Sequence, residues 1–213
     1  AAAARGAIVR GLDFSRAQVE LARREYPTVE FDEGDMETLP YTDRIYDAVV
    51  MNFGLLHSLR PEQVAAEAFR VLKPGGRFAC TVWASPQVSA GFRIVLGAIE
   101  KYGTMNVPLP PAQPYFRFSD KRESYALLAR AGFEHLRFEI VPLVWRLTSA
   151  EEMFQAFYQG AVRATVILRS QSKEARDAIH PHVIREAEAF KAIGGLEVPM
   201  GAALTVGTRP MMS

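Results

Sequence analysis

Apolar residues along this chain recur at two periods, and the alternation between them predicts the elements. Ala7-Ile8-Val9-Arg10-Gly11-Leu12-Asp13 is a short, mostly apolar run ending in an acid, and it reads as a strand. Ser15 with Gln18 three positions on makes a capping-box pattern, and Val19, Leu21 and Ala22 give an apolar stripe as far as Tyr26-Pro27, which predicts a helix. Val29-Glu30-Phe31 reads as a second short strand, and Gly34 to Pro40 as the turn out of it. Tyr46 to Phe53 is almost continuously apolar, the pattern of a strand buried on both faces of a parallel sheet. Pro61 opens a helix in which Val64, Ala65, Ala68, Phe69 and Leu72 recur at helical spacing. Lys73-Pro74-Gly75-Gly76 reads as the turn that stops it, and Arg77 to Trp83 as the next strand. Strands alternating with helices of about ten residues predict right-handed βαβ units and an α/β doubly wound sheet.

The second half is less regular. Gln87 to Lys101 places Val88, Phe92, Val95, Leu96 and Ile99 on one helical face, and Pro108, Pro110, Pro111 and Pro114 then exclude regular structure. That stretch reads as a lid or wrapped loop. Ser119 is placed to cap a helix through Arg130 with Gly132 as its stop, and Phe133 to Leu147 alternates as one long strand. A mostly helical block runs from Ser149 to about Ile193, and Leu196 to Thr208 reads as a last strand. The organisation is one domain over residues 1–213, with 85–118 and 148–195 as a variable helical lid.

Composition narrows the function classes. Hydrophobic residues make up 49% and charged ones 23%, which excludes a disordered or fibrous chain. Twenty-five Lys and Arg balance 24 Asp and Glu, so no broad basic footprint exists for nucleic acid or an anionic membrane. No apolar run approaches the roughly 20 residues of a membrane helix, and the lone Cys80 cannot form an internal disulfide. A cytoplasmic setting is expected. Oligomeric state leaves no signal.

In open α/β sheets ligands bind beyond the carboxyl ends of the strands. Asp13 closes the first strand, Asp35 lies just past the second, and Asn52 closes the third. An ionised carboxylate only accepts hydrogen bonds, so Asp13 suits two vicinal ribose hydroxyls, and Asp35 with the Met36 amide suits the edge of an adenine. Singly, each is equally well read as a helix-proximal charge or a turn residue. Together, 22 residues apart and both at strand ends, they favour a ligand.

Four segments carry a resemblance: Val9-Arg10-Gly11-Leu12-Asp13-Phe14-Ser15, Phe31-Asp32-Glu33-Gly34-Asp35-Met36-Glu37-Thr38-Leu39-Pro40, Tyr46-Asp47-Ala48-Val49-Val50-Met51-Asn52-Phe53 and Arg70-Val71-Leu72-Lys73-Pro74-Gly75-Gly76-Arg77. In order and spacing they resemble the motifs of class I S-adenosylmethionine-dependent methyltransferases, in the small-molecule branch that includes the ubiquinone and menaquinone biosynthesis enzymes. The resemblance covers residues 6 to 84 and fades beyond. It implies a Rossmann-like sheet with an antiparallel last strand and S-adenosyl-L-methionine as cofactor. It also implies that Asp13 binds the ribose, Phe14 packs near the adenine, Asp35 and Met36 read the adenine edge, Asn52 and Phe53 line the methionine side, and Gly54 to Leu59 border the methyl-transfer site. No G-x-G-x-x-G-like loop lies ahead of Asp13. The implied sheet needs a central strand between those ending at Asp13 and Asn52, and that strand is expected ahead of Ala1. Without it, interior edges stay unpaired at roughly 1–3 kcal/mol per buried group.

His57, five residues past Asn52, is the candidate general base, since an imidazole with a pKa of about 6.5 accepts a proton near neutrality. The plainer reading is a loop histidine that packs or caps the helix opening at Pro61. His135, His180 and His182 lack companion ligands at metal spacing, so no metal is expected. Cys80 reads as a small buried hydrophobe. Phe92, Tyr102, Tyr115, Phe116, Trp145, Phe154, Phe157 and Tyr158 read as core with a partly aromatic pocket for a hydrophobic small-molecule acceptor. Two other functions fit a similar sheet: a nicotinamide oxidoreductase, disfavoured by Asp35-Met36 and the lack of a Tyr-x-x-x-Lys pair, and a catalytically inactive binding module.

Overall fold

The computed structural model describes residues 1–109, 111 and 113–211, and Pro110 of the proline-rich stretch therefore lies outside the described residues. In chain order the elements are β1 (Arg10–Asp13), α1 (Arg16–Glu25), β2 (Glu30–Glu33), β3 (Tyr46–Asn52), α2 (Pro61–Val71), β4 (Leu72–Trp83), α3 (Ala90–Tyr102), α4 (Lys121–Arg130), β5 (Glu134–Val141), β6 (Val144–Leu147), α5 (Ala150–Gln155), α6 (Val162–Arg169), α7 (Lys173–Ala187), β7 (Lys191–Ala192), β8 (Gly195–Pro199) and β9 (Ala202–Thr208). β1 and β2 pair in parallel, Asp13 opposite Glu33. A second sheet has the order β3-β4-β9-β5. β9 runs antiparallel to β4, because Ala84 after β4 bonds Gly201 before β9, while Gly75 and Gly76 early in β4 bond Arg209 beyond β9. The predicted α/β architecture with a reversed last strand is the one observed.

The chain divides into two compact units, the first formed by residues 1–80, 122–137 and those from Thr205 onward, the second by 81–121 and 138–204. In the first, Val64, Ala65, Ala68 and Val71 bury the apolar face of α2. Phe133 stacks on Phe78 at 5.7 Å and meets Phe69 edge-on at 5.1 Å. Arg209 lies over the Phe69 ring at 4.4 Å and donates to the carbonyls of Phe69, Arg70 and Leu72, which a helix end leaves without intrahelical donors. In the second unit α3 and α7 pack around Val95, Ile99, Ile179 and Val183, with Phe92, Met153, Phe157 and Met200 in the same cluster.

Several boundaries differ from the sequence pattern. Ser15 does not cap α1 with its side chain; the Asp13 carboxylate takes the Ser15 N–H instead. Lys73 to Gly76 is no turn, since α2 passes directly into β4 and Gly75 takes a left-handed φ of 78° inside the strand. The long strand over 133–147 breaks at Pro142, which cannot donate to a ladder, and the last strand breaks at Met200-Gly201. Ser119 bonds the Phe116 carbonyl rather than capping α4. The helical block ends before β7 and includes a π turn over Ala156–Gly160. β3 is not buried on both faces: Val50 is 76% exposed, and among the described residues β3 pairs only with β4 and β1 only with β2.

Cys80 is buried, and desolvation pushes its thiol up to about 12. Alkylation by iodoacetamide at pH 8 is expected to be at least a hundredfold slower in native protein than in urea, because the thiolate is scarce and inaccessible. Equal rates in mass-spectrometric time courses would show that β4 opens readily. No helix among the described residues is long and apolar enough to cross a membrane.

Candidate active site

The candidate residues lie in the first unit, on three segments that follow β1, β2 and β3. β1 stops at Asp13, whose Oδ1 accepts the Ser15 N–H at 2.8 Å and whose carbonyl accepts the Gly34 N–H at 3.0 Å. That second bond ties the end of β1 to the turn after β2. β1 can lie flush on β2 because Gly11 has no Cβ; one there would collide with the Phe31 ring. The Asp35 Oδ1 accepts the Glu37 N–H at 2.8 Å, and its carbonyl accepts the Thr38 N–H at 3.1 Å. Both carboxylates are exposed, each with one oxygen fixed by a backbone donor and lone pairs remaining for a ligand. Phe14, beside Asp13, is 77% exposed, a large ring left to solvent at a strand end.

Beyond β3 the backbone is strained. Phe53 holds a left-handed φ of 55°, uncommon for a bulky residue and a feature that concentrates at functional turns. Gly54 follows, at a point where a Cβ would press on Met51 and come within 4.0 Å of the Met36 sulfur. Asp13, Asp35, Met36 and the Asn52-Phe53-Gly54 segment are thus joined by short links. His57 ends the 3₁₀ turn Leu55–His57, anchored by buried Leu55 and Leu56. Its ring is exposed but partly desolvated, which lowers its pKa. Among the described residues no group of three or more His, Cys, Asp or Glu could hold a metal ion.

Sequence reasoning missed Glu37. It is only 8% exposed, and its carboxylate accepts from the Ser58 hydroxyl at 2.6 Å, the Leu59 and Arg60 amides at 3.0 and 2.9 Å, and the Arg60 Nε at 2.7 Å. The Ser58 bond, with the Arg60 amide next, holds its pKa at about 2. Glu37 therefore clamps the Asp35-Met36 turn to the segment carrying His57. A second clamp fixes the rest of that turn to α2. Glu67 accepts the Leu39 N–H at 2.8 Å, and Arg70 donates to the Leu39 and Tyr41 carbonyls at 3.0 and 2.6 Å while paired with Glu67 and Asp43. A carboxylate two residues after Asp35 has no local signature of this role, because the partners of its side chain are 21 to 23 residues away.

Two parallel strand ends thus carry acids, and a strained turn follows a third strand of the same α/β fold. Residues 1–80 match the family described as methyltransferase domain. A demethylmenaquinone methyltransferase of Renibacterium salmoninarum is 37% identical over 81 residues, 38% of this chain and 34% of that protein. A 2-phytyl-1,4-naphtoquinone methyltransferase of Thermosynechococcus vestitus is 35% identical over 145 residues, 61% of this chain and 62% of that protein. The chain thus spans from about a third to under two thirds of these relatives. Among solved structures, phosphoethanolamine N-methyltransferase 2 of Haemonchus contortus, in complex with S-adenosyl-L-methionine, superposes with a TM-score of 0.53 at 16% identity, over 99% of this chain and 45% of that one. In sequence over its first 80 residues and in fold, the chain resembles class I S-adenosylmethionine-dependent methyltransferases.

Proposed function

We propose that this chain is part of an S-adenosylmethionine-dependent methyltransferase acting on a small, quinone-like aromatic molecule. The observation that carries the reading is the Gly34-to-Asp13 bond, which sets a ribose-type acceptor, Asp13, beside an adenine-type edge, Asp35 with the Met36 amide. The residues fit the cofactor: Asp13 and Asp35 are exposed acceptors with free lone pairs, and Phe14 is an exposed ring. When bound, the cofactor supplies an activated methyl on a sulfonium whose departure leaves a neutral thioether. The protein's task is then orientation, an effect of up to ~7–11 kcal/mol. Asn52 and Phe53 line the methionine side in this reading. Isothermal titration tests the class: S-adenosylhomocysteine binding supports it, NADH binding supports the oxidoreductase, and neither points to a binding module.

His57 is the proposed base if the acceptor must lose a proton. Its lowered pKa keeps the ring neutral, and so able to accept, further into the acid range. We expect kcat/KM to fall only on the acid side of about pH 6.5, and His57→Ala to lose roughly 10²–10⁴-fold in kcat together with that acid limb. Turnover that His57→Ala leaves intact at every pH would remove the base and leave proximity to carry the reaction.

A further inference from the structure

The second unit contains a cavity of about 290 Å³ that the cofactor residues do not use. Phe92 of α3, Tyr115 and Phe116 of the connection after it, and Arg163, Ala164 and Ile167 of α6 line it. The rings hold one another in place. Phe92 meets Phe116 edge-on at 5.2 Å and Phe157 edge-on at 5.1 Å, Tyr115 meets Phe116 edge-on at 5.0 Å, and Tyr115 packs tilted against Phe92 at 5.4 Å. Edge-to-face packing of this kind fixes rotamers, so the wall is preformed. The volume lies just below the ~300–1,000 Å³ usual for ligand pockets, which suits one or two rings.

One positive charge enters this apolar wall. Arg163 is half-buried and has no carboxylate partner among the described residues. Burial pushes the Tyr115 hydroxyl up to about 12, against the opposing field of Arg163, so that hydroxyl stays protonated and able to donate near neutrality. A guanidinium against an apolar surface gains most from an acceptor of opposite charge, since both are then removed from water together and the fork binds both carboxylate oxygens.

We propose that this cavity binds a flat one- or two-ring aromatic molecule bearing a single carboxylate, its ring on Phe92 and Phe116 and its carboxylate on Arg163 and the Tyr115 hydroxyl. This binding does not rest on the methyl-transfer reading.

The test is calorimetric titration of the full chain with trans-cinnamate and with its uncharged amide, in wild type, Arg163→Met and a cavity-filling Ala164→Phe variant, with circular dichroism confirming that each is folded. Cinnamate is expected to bind at least tenfold tighter than the amide. Arg163→Met should abolish that preference by weakening cinnamate tenfold or more, and Ala164→Phe should weaken both ligands. Equal binding of acid and amide, full cinnamate affinity in Arg163→Met, or no binding by wild type overturns the proposal. S-adenosylhomocysteine titrated into the same samples separates the two readings. Cinnamate binding without it supports the cavity and counts against the cofactor reading alone, whereas its binding without cinnamate overturns the cavity alone.

Discussion

Replacing Glu37 with alanine is expected to lower folding stability by about 2–4 kcal/mol at pH 7, a larger loss than removal of any exposed candidate residue. The carboxylate side chain is 10% exposed and receives four hydrogen bonds, two of them from backbone amides that would be left without their acceptor. Hydrogen bonds to a charged group contribute roughly 1.5–3 kcal/mol each, and they are not additive when they share one acceptor. The ion pair with Arg60 adds little, because that guanidinium is 68% exposed and screened by water. The sign of the pH dependence follows from the depressed pKa. Folded Glu37 titrates near 2 rather than 4.5, so its contribution is complete above about pH 4.5 and is lost as the pH falls through about 2. Urea unfolding of wild type and Glu37→Ala should therefore show a full gap at pH 7 that narrows on acidification. Glu37→Gln should fall between them, since its oxygen still accepts while its amide opposes the Arg60 Nε. A gap below 0.5 kcal/mol at pH 7, the range of an ordinary surface substitution, would mean the clamp contributes nothing.

The clamp also marks where reading the sequence stops. Strand ends, turns and the helical stripe of α2 are local, and Asp13, Asp35 and Asn52 fall at strand ends by periodicity alone. The network around Glu37 and the second clamp from Arg70 to Leu39 and Tyr41 close loops of 21 to 31 residues, and nothing in the spacing of those side chains announces the partner. The same holds for β3. Its apolar run reads as doubly buried, but burial depends on which neighbours a strand finds, and Val50 stays 76% exposed. Alternation across 133–147 and 196–208 hid breaks that Pro142 and Gly201 introduce in the backbone rather than in the hydrophobic pattern. Arg163 was invisible for the opposite reason, since a lone arginine on an amphipathic helix is ordinary until aromatic walls surround it.

Asp13→Ala is expected to weaken S-adenosylhomocysteine tenfold or more while leaving the fold intact. The carboxylate is exposed and, among the described residues, makes one side-chain hydrogen bond, accepting the Ser15 N–H at 2.8 Å, so its removal should change stability by no more than about 0.5–1 kcal/mol. A vicinal diol offers two donors to an acceptor-only group, and losing a charge-assisted pair in a water-accessible site costs about 1.4–3 kcal/mol, or roughly 10- to 150-fold in affinity. Asp13→Asn keeps one acceptor and turns the other into a donor facing a hydroxyl, so it should recover only part of the loss. Titration of both variants, alongside their unfolding curves, distinguishes this from the effect of Glu37. Asp13 variants should lose binding at nearly constant stability, whereas Glu37 variants should lose stability first and binding with it, because Glu37 acts through the position of the Asp35-Met36 turn. If Asp13→Ala binds S-adenosylhomocysteine as tightly as wild type, the carboxyl end of β1 is not where the ribose lies. The Gly34-to-Asp13 bond would then be no more than a strand-end tie.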